Sequence, residues 1–149
     1  MPVIVRRFGV IIVIAIVVIG VIVFRDRLSG NAGDLAVGDC FDAPTTEGTV
    51  QDVQHHPCTE AHSGEVFAVV KNPAGGSDPY PDQAARVTFA GDACAAPFLT
   101  YVGIAMDQSA YDIRYFGPTA EGWGKGDRTV TCYVNSAPVV TTSIKGSKK

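Results

Sequence analysis

The longest uncharged stretch of the chain lies near its N-terminus and limits what that end can become. Positions 8 to 24 read FGVIIVIAIVVIGVIVF, 17 residues without a charged or strongly polar side chain. A helix of that length spans about 26 Å, near the lower limit for crossing a bilayer. The alternative is a cleaved signal peptide, but its apolar core would be shorter, and Arg25, Asp26 and Arg27 interrupt any small-residue cleavage site. We therefore expect residues 1–27 to form a cytoplasmic tip and an uncleaved transmembrane anchor.

The cysteines indicate on which side of the membrane the rest of the chain lies. All four follow the apolar segment, as Cys40, Cys58, Cys94 and Cys132. An even number of cysteines downstream of an export-like segment is typical of disulfides in an oxidising compartment. We expect a single-pass protein of the cell membrane, with its N-terminus cytoplasmic and its C-terminal domain extracytoplasmic. The membrane would then be a partner through the N-terminal helix.

The part of the chain after the anchor is acidic, which excludes one class of function. Of 12 basic and 15 acidic residues in the whole chain, residues 1–27 hold four arginines and one aspartate. The remainder therefore has a net charge of about −6, as counted from the sequence. A protein that binds nucleic acid needs a basic surface to release counterions from phosphates. We expect no nucleic-acid partner.

Turn-rich and periodic segments predict one small domain over residues 35–144. Residues 28–34 are mostly small and polar and are expected to form a short flexible linker, with a basic tail at 145–149. Alternating apolar residues predict strands at 49–54, 111–118 and 128–135, and β-branched and aromatic residues predict one at 64–70. A further strand is expected at 35–41, between turn residues, and a last edge strand at 139–144. Proline and glycine between these strands predict a loop at 71–82.

The middle of this domain has apolar residues at approximately helical spacing. They are Ala85, Phe89, Cys94, Phe98 and Tyr101. Gly91 and Pro97 are expected to break the helix into two pieces, with Asp92 capping the second piece and Gly103 ending it. Strands grouped around a helical middle predict an α+β fold. We expect an N-terminal transmembrane helix followed by a small antiparallel-sheet domain with a central helical segment and two disulfides.

The order of short motifs resembles the septum formation family of membrane-anchored actinobacterial proteins. The motifs are VGDCF at 37–41, PCxxAHxxEVFAVV at 57–70, YP at 80–81, Cys94, PFLTYVG at 97–103, Pro118, Trp123, GDRxVxC at 126–132 and SIKGS at 143–147. One departure is Ala61, which stands where the family usually has proline before the histidine. The resemblance implies an extracytoplasmic module of the bacterial cell envelope, linked by the family's name to septum formation in cell division. It brings no catalytic residue to any position of this chain.

Four cysteines allow three disulfide connectivities. We favour the sequential one, Cys40–Cys58 and Cys94–Cys132, which would join the first strand to a hairpin corner and the helix to a late strand. A CxxC motif is absent from the sequence, so the usual geometry of a redox-active dithiol is missing.

Residues 55–62 read HHPCTEAH and raise the question of a metal site. Cys58 and His62 are four residues apart, as zinc ligands on a helix can be. A cysteine in a disulfide is no ligand, however, and Pro57 favours an extended approach that sends His55 and His56 to opposite sides. We expect no metal and no cofactor, and keep a metal-binding or sensing domain centred on His62 as the alternative function.

The spacing of His62 and Glu65 allows a charge-assisted pair within a helical turn. His62 is expected to shape the corner before the strand at 64–70, with contact to a ligand or partner as the open alternative. The pair could also serve an envelope hydrolase, the least favoured reading, because no nucleophile is marked and GxSxG is absent. We expect a protein that is not an enzyme.

Two further regions are candidates for contact with a partner. Trp123, the only tryptophan, is flanked by glycines, so its ring is expected in the core, with exposure as a contact residue as the alternative. Asp127 is expected to hold Arg128 or a backbone amide. The loop at 72–82, with Tyr80, is the other candidate surface. The candidate interaction residues are His62, Glu65, Tyr80, Trp123 and Arg128, and the expected partner is an unknown envelope or division protein.

Overall fold

Segments rich in β-branched and aromatic residues form one six-stranded antiparallel sheet in the computed structural model, which describes residues 29–149 and Ile14. In chain order the strands are β1 (Ser29–Asn31), β2 (Cys40–Phe41), β3 (Asp52–His56), β4 (His62–Lys71), β5 (Asp112–Phe116) and β6 (Thr129–Val140). The helices are α1 (Gln83–Val102) and α2 (Ala120–Gly124), with 3-10 helices at Ala32–Asp34 and Met106–Gln108. The order across the sheet is β1-β3-β2-β4-β6-β5, and every neighbouring pair is antiparallel.

The expected transmembrane anchor at 1–27 lies outside the described residues, apart from Ile14. Within the part of the chain that the structure describes, no helix combines the length and the apolar character needed to cross a bilayer. The small antiparallel-sheet domain with a helix and two disulfides is confirmed.

Helix α1 is continuous, so the expected break into two pieces at Gly91 and Pro97 is wrong. Its side-chain cap is Asp82, which accepts a hydrogen bond from the amide of Ala85, and Asp92 lies inside the helix. Gly103 ends the helix as expected, in the left-handed conformation with φ 89°. Proline within a helix costs about 3 kcal/mol. Packing of one helix face against the sheet offsets this cost.

That face of α1 carries a buried residue at every fourth position. These residues are Ala90, Cys94, Phe98 and Val102. They pack on Phe67, Ala68, Val130, Cys132 and Val134 from the sheet, with Ile144 from the C-terminal segment. Of the expected apolar stripe, Phe89 and Tyr101 are only partly buried and Ala85 is exposed. The buried face of α1 is therefore rotated slightly about the helix axis from the face that the sequence predicted.

The N-terminal segment covers the other face of the sheet. Leu35, Phe41, Val53, Val66 and Tyr133 form its buried cluster, together with Ala32 and Ala43. Residues 28–34 were expected to be a flexible linker, but β1 pairs with β3 and the 3-10 helix at Ala32–Asp34 follows it. Of the strand expected at 35–41, only β2 is extended and paired.

Strand β6 lies between β4 and β5 and runs further than expected. Val139 and Val140 belong to it, and Val140 pairs with His62, so the separate edge strand predicted at 139–144 is wrong. The prediction that Val130, Cys132 and Val134 share the core face is confirmed. Because β4 and β6 are central, the residues at both of their ends are held on a rigid frame.

Candidate functional site

The two disulfides have the sequential connectivity that the sequence favoured. Cys40 of β2 is bonded to Cys58, which lies in the turn before β4. Cys94 of α1 is bonded to Cys132 of β6, so this cross-link ties the helix to the centre of the sheet.

His62 and Glu65 lie together at the start of β4, not in a helical turn as the spacing suggested. In a regular strand, residues three apart point to opposite faces. The pairing of β4 with β6 is irregular between His62 and Gly64, and this brings the two side chains to the same side. The His62 Nε2 atom lies 3.8 Å from a Glu65 carboxylate oxygen, and each residue is only 1% exposed.

The Glu65 carboxylate joins three separate parts of the fold. Its Oε1 accepts hydrogen bonds from the hydroxyls of Tyr101 at 2.8 Å and Ser143 at 2.6 Å. Its Oε2 accepts a hydrogen bond from the amide of Ile144 at 2.8 Å. Burial, and then the bond to Glu65, raise the pKa of Tyr101 well above its ordinary value. The buried carboxylate therefore fixes α1 and the C-terminal segment to β4.

His62 has one satisfied and one unsatisfied ring nitrogen. Its Nδ1 lies 2.8 Å from the carbonyl oxygen of Glu60, and since a carbonyl can only accept, Nδ1 carries a proton and donates. Its Nε2 is buried and has no hydrogen-bond partner among the described residues. A buried polar atom of this kind requires an explanation.

The structure also answers the question of a metal site in the HHPCTEAH segment. His55 and His56 lie in β3, where the ring of His55 packs close to Gly30 and that of His56 lies 3.0 Å from Asp42. Cys40 Sγ, a ring nitrogen of His62 and a carboxylate oxygen of Glu65 lie within 4.8 Å of one another. The sulfur is bonded in a disulfide and the carboxylate already accepts three hydrogen bonds. As it stands, this set lacks the thiolate that a zinc site would use.

Trp123 and Arg128 form a second polar arrangement, on the opposite end of β6. The Arg128 guanidinium lies 3.7 Å over the Trp123 ring, and the two residues are 8% and 5% exposed. The Trp123 ring is therefore in the core, as expected. The Asp127 carboxylate accepts a hydrogen bond from the amide of Thr129, as one of the two expectations had it. Arg128 donates to the backbone carbonyl of Asp127.

Arg128 and Trp123 hold the loop at 72–82 through its backbone. Arg128 donates to the carbonyls of Ala74 and Gly75, and the Trp123 indole donates to the carbonyl of Asp78 at 2.8 Å. The loop at 72–82 has no regular secondary structure, but these hydrogen bonds fix three of its backbone carbonyls in place.

Tyr80 is the exposed side chain that this arrangement presents. Its ring packs edge-on against Trp123 with centroids 5.9 Å apart, and the Arg86 guanidinium lies 4.7 Å over it. Its hydroxyl donates to the carbonyl of Pro118 at 3.0 Å. Tyr80 is still 36% exposed, whereas Trp123 and Arg128 are buried beneath it. A small pocket of about 20 Å³, close to the size of one water, is lined by Phe89, Trp123 and Val130 among other residues.

Sequence reasoning missed the partners of Glu65. Tyr101, Ser143 and Ile144 are 36 to 79 positions away from it, so no local spacing connects them. A signal was present, because PFLTYVG at 97–103 and SIKGS at 143–147 are among the motifs that carry the family resemblance. Whether any of the five candidate interaction residues contacts a partner stays a prediction.

Comparison with known proteins identifies the family. The chain matches the family described as Septum formation over residues 37–148, more than half of its length. The chain therefore belongs to the septum formation family. No curated protein and no solved structure matches it.

Proposed function

We propose that this protein is a non-enzymatic accessory module of the bacterial cell envelope that acts in septum formation by contacting another envelope or division protein. The observation that carries the proposal is membership of the septum formation family over residues 37–148, which suggests a role linked to cell division. The family resemblance adds the expectation of an actinobacterial source.

We propose a place for the domain at the outer face of the cell membrane. The apolar run at positions 8–24 supports an anchor, and four cysteines joined in two disulfides suit an oxidising compartment. Since β1 begins at Ser29, few residues separate the proposed anchor from the sheet. The domain would then lie close to the membrane, where it can meet other membrane-anchored proteins.

The burial of His62 and Glu65 argues against catalysis by this pair on an external substrate. A general base must reach a substrate proton within hydrogen-bond distance. Both side chains are buried, and the Glu65 oxygens are occupied by hydroxyl and amide donors from α1 and the C-terminal segment. This arrangement argues against the hydrolase alternative, which would place the pair in an open cleft.

The loop at 72–82 is the contact surface that the geometry favours. Recognition loops work best when a rigid scaffold positions them, because less conformational entropy is lost on binding. The buried side chains of Arg128 and Trp123 donate hydrogen bonds to backbone carbonyls of this loop, and the aromatic ring of Tyr80 is exposed to solvent. Tyrosine is enriched at the energetically dominant positions of protein interfaces. We assign the partner contact to Tyr80 and its loop.

Deletion and complementation in the source bacterium tests this function. Cells lacking the protein are expected to show misplaced or incomplete septa when their membranes are stained, and the wild-type gene is expected to restore them. The Tyr80→Ala variant should restore them poorly. Leu99→Ala, which alters an apolar side chain on α1 that is more exposed to solvent than Tyr80, is the control and should complement fully.

Normal septa in the deletion strain would contradict the role in septation. Full complementation by Tyr80→Ala, with the protein at wild-type levels, would leave the septation role standing and remove the loop as its contact surface. Immunoblotting of membrane fractions provides the level of each variant.

A further inference from the structure

The two disulfides differ in the access that they give to an attacking thiol. Cys94 and Cys132 are both buried in the main core. In the other pair Cys40 is 2% exposed, but Cys58 lies in a turn and is partly exposed. Thiol–disulfide exchange requires a thiolate to approach one sulfur along the S–S bond, and access decides which sulfur is attacked. Cys58 is therefore the more exposed cysteine of the pair.

The buried sulfur of this pair has an imidazole beside it. A ring nitrogen of His62 lies within 4.8 Å of Cys40 Sγ. The His62 Nε2 atom is one of two buried side-chain nitrogens without a hydrogen-bond partner in the described part of the chain, and the other is Nε2 of His56. The hydrogen bond from Nδ1 to the Glu60 carbonyl fixes the orientation of the ring. The Nε2 atom lies 3.8 Å from Glu65, beyond hydrogen-bond distance, and a ring nitrogen in this position can exchange a proton with a departing sulfur once the two come within reach.

We propose that Cys40–Cys58 is an exchangeable disulfide, attacked at Cys58 by an external thiolate, with His62 as the proton donor and acceptor for Cys40. In the forward step the thiolate forms a bond to Cys58 Sγ and the Cys40–Cys58 bond breaks, so that the electron pair goes to Cys40. Protonated His62 gives its Nε2 proton to the Cys40 sulfur, which leaves a thiol and a neutral imidazole. A second thiolate, as in a dithiol reductant, then releases Cys58 and completes the two-electron reduction.

The same groups serve the reverse reaction. Neutral His62 takes the proton from the Cys40 thiol, and the Cys40 thiolate forms a bond to Cys58 Sγ. The bond between Cys58 and the external sulfur breaks, and the external group leaves as a thiolate. In either direction one proton moves between Cys40 and His62, and no residue beyond these three takes part in bond making.

The surrounding charges explain why the proton transfer is needed. Glu65 lies beside His62, and its negative charge would disfavour a free Cys40 thiolate. The three hydrogen bonds that Glu65 accepts reduce this effect without removing it. The Tyr101 hydroxyl, whose pKa burial raises, stays neutral at physiological pH, so it brings no further charge. His62 is the one group of this cluster that can protonate the departing sulfur.

Adduct mapping on the full chain in detergent micelles tests the site of attack. The protein is incubated with glutathione, quenched with acid and alkylated, and each cysteine is identified by peptide mass spectrometry. We expect the glutathione adduct on Cys58, and reduction of Cys40–Cys58 by dithiothreitol well before that of Cys94–Cys132, which serves as the internal reference. An adduct on Cys40, or equal rates for the two disulfides, would overturn the proposal.

The His62→Gln variant tests the proton transfer, since glutamine can still donate to the Glu60 carbonyl but cannot exchange a proton. Exchange at Cys40–Cys58 should be slower by about a hundredfold, the lower end of general acid–base effects. His56→Gln is the matched control and should exchange at the wild-type rate. His56 also pairs with Cys40 in the sheet, but its Nε2 atom lies 3.0 Å from an Asp42 carboxylate oxygen, and it does not belong to the close group formed by Cys40, His62 and Glu65. An unchanged rate in a folded His62→Gln variant refutes the role of His62. If that variant does not fold, the adduct position in the wild-type chain still decides whether Cys58 is attacked.

Discussion

Replacing Tyr101 with phenylalanine removes one hydroxyl and leaves the ring in place, so it measures how strongly the buried carboxylate holds the fold together. The lost bond is the 2.8 Å hydrogen bond from Tyr101 to the Glu65 carboxylate. A hydrogen bond to a charged group contributes about 1.5–3 kcal/mol, and its loss leaves part of the desolvation cost of Glu65 uncompensated. We expect Tyr101→Phe to lower the free energy of unfolding by about 2 kcal/mol, or roughly 8 °C in Tm for a domain of this size.

Denaturant unfolding followed by tryptophan fluorescence is the assay, because Trp123 is the only tryptophan and is buried. Tyr133→Phe is the matched control. Tyr133 is also buried in the sheet, but its hydroxyl makes no hydrogen bond to a described residue, and we expect a loss of less than about 0.5 kcal/mol. Equal losses in the two variants would refute the reasoning that Glu65 organises the fold.

The same two tyrosines predict how stability depends on alkaline pH. Burial raises the pKa of Tyr133 to about 12, and burial and Glu65 together raise that of Tyr101. The folded protein therefore keeps protons that the unfolded chain releases near pH 10. This stabilisation is complete below pH 10 and is lost as pH rises towards the folded-state values, by at most about 1.4 kcal/mol per pH unit for each tyrosine. In Tyr101→Phe the free energy of unfolding should fall less steeply with pH above pH 10. An unchanged slope would contradict the raised pKa of Tyr101.

Two further predictions concern packing and cross-linking. A Cβ at Gly64 would lie 2.6 Å from the buried ring of Phe41, so Gly64→Ala should lower the free energy of unfolding by about 2 kcal/mol, as measured with denaturant. A Cβ at Gly91 in α1 would meet open space, so Gly91→Ala should raise the free energy of unfolding by about 0.5 kcal/mol or more. A lower free energy of unfolding in both variants would contradict this reasoning. Removing the Cys94–Cys132 cross-link, whose cysteines are 38 positions apart, should cost about 4 kcal/mol by loop-closure entropy, and calorimetry showing a Tm within a few degrees of the wild type would contradict that estimate.

The sequence predicts those parts of the fold that depend on local patterns. Its β-branched and aromatic residues located β4, and alternation of apolar residues located the core face of β6. The left-handed end of α1 followed from Gly103. These features need only neighbouring residues to be recognised.

Features that depend on distant contacts were missed or wrong. Pro97 was expected to break α1, but burial of Cys94 and Phe98 against the sheet outweighs the local cost of proline. Residues 28–34 look like a linker by composition, yet β1 finds a partner in β3. For the site, the HxxE spacing suggested a helical turn, and the irregular register of β4 and β6 produced the contact instead.

Photo-crosslinking in dividing cells tests most directly the central claim that the loop at 72–82 contacts a partner. A photoreactive amino acid is placed at Tyr80, and as a control at Val139, which is 59% exposed at the opposite end of β6. We predict that irradiation gives a covalent adduct with an envelope or division protein from position 80 and none from position 139. Adducts of equal yield at both positions, or none at position 80 in cells that are forming septa, would contradict the account.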